Sequence, residues 1–133
     1  MIGEIPTEPS RLILVVEDTD EAYELFSDGL ADAGFRVIGA ETGIDAIDMA
    51  VKQRPDLILM DLSLPRMGGC EAARLLKQDL RTCHIPIVAI TGHEDWAKRA
   101  TDAGCDAFFH KPCRFDLILL KIEELFSREL KIN

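Results

Sequence analysis

Five side chains suited to chemistry stand at the ends of apolar runs in this 133-residue chain. Glu17 and Asp18 close the run LILVV, Asp61 closes LILM, Thr91 closes IPIVAI, and Lys111 follows AFFH. An ionised carboxylate behind a doubly buried run is costly unless it reaches the strand's mouth and meets a counter-charge. Three carboxylates at one point repel one another without a cation, and hard oxygen ligands that keep some water suit Mg²⁺. A hydroxyl and an ammonium aimed at the same point would complete a cradle for a phosphoryl group. Taken singly, each residue has a plainer role. An Asp or Thr after a strand commonly caps a helix, and a lone Lys is commonly a solvated charge. The relative placement of the runs decides between these readings.

Five runs of strand length recur: Leu12–Val16, Arg36–Ala40, Leu57–Met60, Ile85–Ile90 and Ala107–Phe109. The segments between them have helical spacing. Ala22, Leu25, Phe26, Gly29 and Ala33 share one face; Ile44, Ile47 and Val51 share the next; Ala72, Leu75 and Leu76 follow. The last helix offers Ile118, Ile122, Leu125 and Phe126, whereas HEDWAKRATDAG offers only Trp96, Ala97, Ala100 and Ala103. That fourth helix is the weakest and is expected to be the one that moves. Thr19 is placed to cap the first helix, with Ala22 standing where a full capping box wants Glu. Gly34, Gly43, Pro55, Pro65 with Gly68-Gly69, Gly92, Gly104 and Pro112 fall between the runs, where breakers belong.

Strands that are apolar throughout, alternating with helices, indicate a parallel sheet covered on both faces. Right-handed crossovers then favour an α/β fold: a doubly wound (βα)5 sheet of five parallel strands, order 2-1-3-4-5, of flavodoxin-like type. Ligands bind such sheets beyond the carboxyl ends of the strands, where the strand order reverses. The reversal lies between strands one and three. Glu17, Asp18 and Asp61 therefore converge, with Thr91 and Lys111 facing the same edge.

Composition narrows the function. Residues 1–10 read as a flexible tail and 11–131 as one domain. A net charge of −9 argues against direct nucleic-acid binding. No apolar stretch reaches the roughly 18 residues of a membrane span, and the first ten residues lack the order of a signal peptide. Cys70, Cys83, Cys105 and Cys113 form no CxxC pair or metal-ligand spacing, which fits a reducing cytoplasm.

Glu17-Asp18, the stretch DLSLPRMGG with Asp61, Thr91-Gly92 and Lys111-Pro112 occur in order at the expected strand ends. In this the chain resembles a response-regulator receiver domain of two-component signalling, from about Arg11 to Leu130. The resemblance implies that Asp61 is the phosphoacceptor, taking its phosphoryl group from a histidine kinase or histidine phosphotransfer protein. It implies Mg²⁺ held by Asp18, Asp61 and the Ser63 carbonyl, with Glu17 acting through water. Thr91, Lys111 and Phe108 would bind the phosphoryl group and relay the switch. Phe108 has no hydroxyl, so its signal would travel by packing. Lys111-Pro112 is expected to be cis, and Ser63 and His93 to tune the phosphoryl lifetime. Cys113 departs from the larger apolar residue usual after this proline. The downstream target would meet the face formed by the fourth helix, fifth strand and fifth helix.

Three other readings compete. A receiver fold used only for interaction usually lacks one of the acids or the lysine, and this chain has all of them. A phosphohydrolase with an aspartyl nucleophile usually carries a second acid two residues later, where Ser63 stands. A flavodoxin needs a hydroxyl- and glycine-rich loop after strand one, and EDTDEA supplies carboxylates that would repel phosphate. The expectation is a self-phosphorylating switch without turnover of an external substrate, either free-standing or part of a longer regulator.

Overall fold

The computed structural model describes residues 10–64, 67–92 and 96–131. The expected tail, apart from Ser10, and His93 lie outside the described residues. In chain order the elements are β1 (Leu12–Val16), α1 (Asp20–Asp32), β2 (Arg36–Ala40), α2 (Gly43–Gln53) and β3 (Leu57–Asp61). They continue with α3 (Gly69–Gln78), β4 (Ile87–Thr91), α4 (Trp96–Asp102), β5 (Ala107–His110) and α5 (Phe115–Lys131). All four strand pairings are parallel, in the order β2-β1-β3-β4-β5. The expected architecture is the one observed.

Alternation along the strands divides the core in two. Leu14, Val16, Ile58, Met60 and Ile87 pack against the alanines and Leu76 of α2 and α3. Ile13, Val15, Leu57, Leu59, Val88 and Ile90 pack against Phe26 and Leu30 of α1 and Ile118 and Ile122 of α5. Strands β3 and β4 are buried from end to end, so their polar termini, Asp61 and Thr91, are buried as well.

Several boundaries and faces differ from the sequence reading. Strand β3 runs on through Asp61, and β4 spans Ile87–Thr91 rather than starting at Ile85. On α1 the buried residues are Phe26 and Leu30, while Ala33 is exposed and Leu25 is 67% exposed. At 3.6 residues per turn, Leu25 lies about 100° from the centre of the stripe through Ala22, Phe26 and Leu30. Ile44 and Leu75 are likewise exposed. Gly43, Ala46 and Ala50 of α2 and Gly69, Ala72 and Ala73 of α3 are buried in their stead. Leu25, Ile44 and Leu75 sit on the shoulders of their helices, and small residues fill the tight space under α2 and α3.

Helix starts match their caps. The Thr19 hydroxyl accepts from the Ala22 N–H, and Thr42 accepts from the Asp45 N–H. Among the described residues helix α4 spans seven, the fewest of the five helices, and it buries Ala100.

Candidate functional site

Strand β1 delivers Glu17 and Asp18 to the carboxyl edge, and the Glu17 N–H continues the sheet by donating to the Ala40 carbonyl at 3.0 Å. The Glu17 side chain is buried, at 3% exposure. Its Oε1 accepts from the Asp18 N–H at 3.1 Å and from the Thr19 N–H and hydroxyl at 3.4 Å. One carboxylate thus braces the turn that starts α1.

Asp61, 6% exposed, ends β3 beside it. Its Oδ1 accepts from the Ser63 N–H at 2.8 Å, and its Oδ2 accepts from Lys111 Nζ at 3.0 Å. The same ammonium lies 3.6 Å from Glu17 Oε2. Lys111 is itself tied down: its N–H donates to the Thr91 carbonyl at 2.7 Å. The Lys111-Pro112 bond is cis, as expected. The Thr91 side chain is fully buried, and its hydroxyl lies 3.2 Å from that of Ser63.

Oxygens of Glu17, Asp18 and Asp61 lie within 4.8 Å of one another. This is an all-oxygen donor set from acidic side chains, the chemistry Mg²⁺ requires. Electrostatics shows the same need. Burial first, then the charge of Asp61, pushes the Glu17 carboxyl up to about 7, and Lys111 only partly opposes the rise. For Lys111, burial works against the ammonium, but its contacts with Asp61 and Glu17 prevail and hold its pKa above the usual value. One lysine serves two buried acids, and a divalent ion would complete the balance.

Phe108 lies half-buried on β5, packed against Leu62, Ala89 and Ala100. Ala100 belongs to α4, so Phe108 joins the sheet to that helix. Gly69 is a residue that sequence reasoning missed, having read it as a turn former. A Cβ there would stand 2.5 Å from Leu62 Cα and 2.7 Å from the Asp61 carbonyl oxygen. Only glycine lets α3 press against the chain leaving Asp61. The Gly-Gly pair after the aspartate was the available signal, but close approach cannot be told from turn formation in a sequence.

The model of the response regulator receiver domain matches residues 13–123. The chain belongs to this family. Receivers of two-component systems are signalling switches that bind Mg²⁺ at an acidic pocket. This receiver is similar to the polar-differentiation response regulator DivK of Brucella anthropi. They are 38% identical over 107 residues, covering 77% of this chain and 85% of that protein. Among solved structures, it resembles the receiver domain of a signal transduction histidine kinase from Syntrophus aciditrophicus. There the TM-score is 0.83 at 28% identity, covering 89% of this chain and 91% of that one. The receiver of a sensor histidine kinase from Pseudomonas aeruginosa matches with TM-score 0.81 at 28% identity, over 87% and 97% of the two chains. That structure has a magnesium ion coordinated in its active-site cleft.

Proposed function

We propose that Asp61 is the phosphoacceptor of this receiver. Supporting this is the convergence of three carboxylates with the Lys111 ammonium, 3.0 Å from Asp61 Oδ2, at the edge where β1 and β3 diverge. An Asp61 oxygen attacks the phosphorus of a phosphohistidine. The new O–P bond forms as the N–P bond breaks, and the imidazole leaves with the bonding pair. Lys111 meets the charge gathering on the phosphoryl oxygens. The Thr91 hydroxyl, held beside Ser63, turns to the same oxygens after transfer. The space it leaves is open to Phe108, which passes the change to α4 by packing.

Glu17, Asp18, Asp61 and the Ser63 carbonyl are the residues that would hold Mg²⁺. Bound there, the ion supplies charge compensation to the transferring phosphoryl group. Ser63, and His93 beyond the described residues, would set the lifetime of the acyl phosphate. We assign residues 11–131 to the receiver unit and its action to the cytoplasm. Its partners are a histidine kinase or phosphotransfer protein upstream and a protein target on the α4–β5–α5 face. It catalyses no turnover of an external substrate and makes no direct contact with nucleic acid.

The test is intact-mass measurement after incubation with Mg²⁺ and acetyl phosphate, with a beryllofluoride titration followed by amide NMR in parallel. One added phosphoryl group, absent in Asp61→Asn and after chelation, is expected. Equal uptake by the variant, or no response to either reagent, would refute the assignment.

A further inference from the structure

Residues 17–51 hold ten of the chain's 24 acids and one of its 15 bases. The whole net charge of −9 arises in that segment, and the rest of the chain is balanced. Its single base is Arg36. It stands at the start of β2, at the amino edge of the sheet, beside Arg11 before β1 and Arg54 after α2. These three arginines frame a cavity of about 500 Å³ that Ser10, Gln53 and Asp56 also line. None of them belongs to the phosphoacceptor site, which lies at the opposite edge.

Two of the three arginines are held in place. The Arg11 guanidinium sits 4.4 Å from the centroid of the Phe126 ring. Arg36 Nε and one terminal nitrogen donate to the Ser10 carbonyl at 3.1 and 3.0 Å, and the outer N–H groups of its fork remain for other acceptors. The Arg54 guanidinium has no hydrogen bond or ion pair among the described residues. Its backbone is left-handed, at φ 50° and ψ 59°, a conformation that favours glycine. Asp56, the acid among them, spends Oδ2 on the Leu12 N–H at 2.7 Å, and its Oδ1 has no partner among the described residues. Guanidinium forks that are already oriented lose little freedom on binding and match phosphate oxygens. A free carboxylate oxygen accepts from a hydroxyl. The volume is that of a small-molecule pocket.

We propose that this amino-edge cavity binds a small phosphate ester bearing hydroxyl groups, of the nucleotide class. Arg11, Arg36 and Arg54 take the phosphate oxygens, and Asp56 accepts from a sugar hydroxyl. The proposal does not depend on phosphorylation at Asp61.

The experiment is titration of the full chain with ADP in EDTA at constant ionic strength, followed by amide NMR. Chelation keeps a metal–phosphate complex from forming at the carboxyl edge. Saturable shifts centred on Leu12, Arg36, Arg54 and Asp56 are expected, with a dissociation constant below about 1 mM. Arg54→Gly should weaken binding roughly tenfold by removing one charge-assisted contact. That variant relieves the backbone, so it stays folded, and its phosphorylation by acetyl phosphate should be unchanged. Shifts that stay linear in ADP, that centre on Asp61, or that are the same in Arg54→Gly would overturn the proposal.

Discussion

At the carboxyl edge of the sheet, Glu17 and Asp61 share one ammonium with Asp18 close by; at the amino edge, three arginines surround a cavity with one acid. Parallel strands create both situations, because every strand start lies at one edge and every strand end at the other. The two edges differ in how fully their charges are opposed. Glu17 and Asp61 are buried and share Lys111, with Asp18 exposed beside them, so the energy of the pair depends on what else binds. The arginines are in contact with solvent, where charge is cheap to keep. An edge with buried, under-compensated charge changes its own stability when a metal or a phosphoryl group binds; an edge with solvated charge can hold an anion with little change in its own stability.

The largest effect should come from breaking the carboxyl edge at its cation. In Lys111→Ala, Glu17 and Asp61 lose their nearest counter-charge. Phosphorylation by acetyl phosphate should slow by about 100-fold, the scale for losing an oxyanion stabiliser. In EDTA the variant should also lose about 1–2 kcal/mol of stability, a figure reduced because Lys111 is about one-third exposed. Saturating Mg²⁺ should restore most of that stability without restoring the rate. Urea titrations with and without the ion, beside stopped-flow phosphorylation, separate the two effects.

Next is the support beneath Asp61. Gly69→Ala would force a methyl to within 2.7 Å of the Asp61 carbonyl oxygen, with backbone on both sides of the clash. The expected cost is about 1–3 kcal/mol, the range for overpacking a tight site. Gly68→Ala is the control, because a Cβ there meets nothing within 4 Å. Thermal melts of the two variants should differ by several degrees, and equal melts would show that the chain after Asp61 yields easily.

A gentler probe of the same edge is pH. Glu17 rises from 4.5 to about 7 in the metal-free fold, chiefly by burial and then by the charge of Asp61. The folded state therefore holds this proton more tightly than the unfolded chain. Its contribution to stability is fully present below about 4.5 and is lost as pH rises through about 7. Metal-free protein should lose stability across that window, and Glu17→Gln should flatten the loss. Mg²⁺ competes with the same proton, so the stabilisation it confers should grow over the same interval. At 100 times its dissociation constant that stabilisation is about 2.7 kcal/mol.

The contrast between the edges also explains what could be read from sequence. Asp61, Thr91 and Lys111 were legible because apolar runs fix the strands, and a parallel sheet turns strand ends into neighbours. The face of α1 was legible only in part. The spacing put Leu25 and Ala33 on the buried face and passed over Leu30, which packing against β1 and α5 selects. Gly69 was illegible as a contact residue, since its role depends on how closely α3 approaches Leu62. The amino-edge arginines belong to no motif, and Arg11, Arg36 and Arg54 meet only through folding. Chemistry at strand ends follows from topology, whereas chemistry between a strand start and a helix end requires coordinates.

The smallest expected effect lies at that second edge. Arg54 ends α2 in the left-handed region, where an L-residue with a Cβ pays about 1 kcal/mol relative to glycine. Its N–H still donates to the Ala50 carbonyl at 3.1 Å, so the cap itself survives substitution. Arg54→Gly removes the backbone penalty but widens the unfolded ensemble, which returns roughly half of the gain. A net stabilisation of about 0.5 kcal/mol should remain, a rise of roughly 2 °C in melting temperature. Arg54→Ala keeps the Cβ and should show no such rise, although it removes the same charge. If both variants rose together, charge repulsion among Arg11, Arg36 and Arg54 would be the dominant cost at this edge. The arginines would then be under-compensated in the same sense as the acids opposite, and the distinction between the two edges would be one of degree.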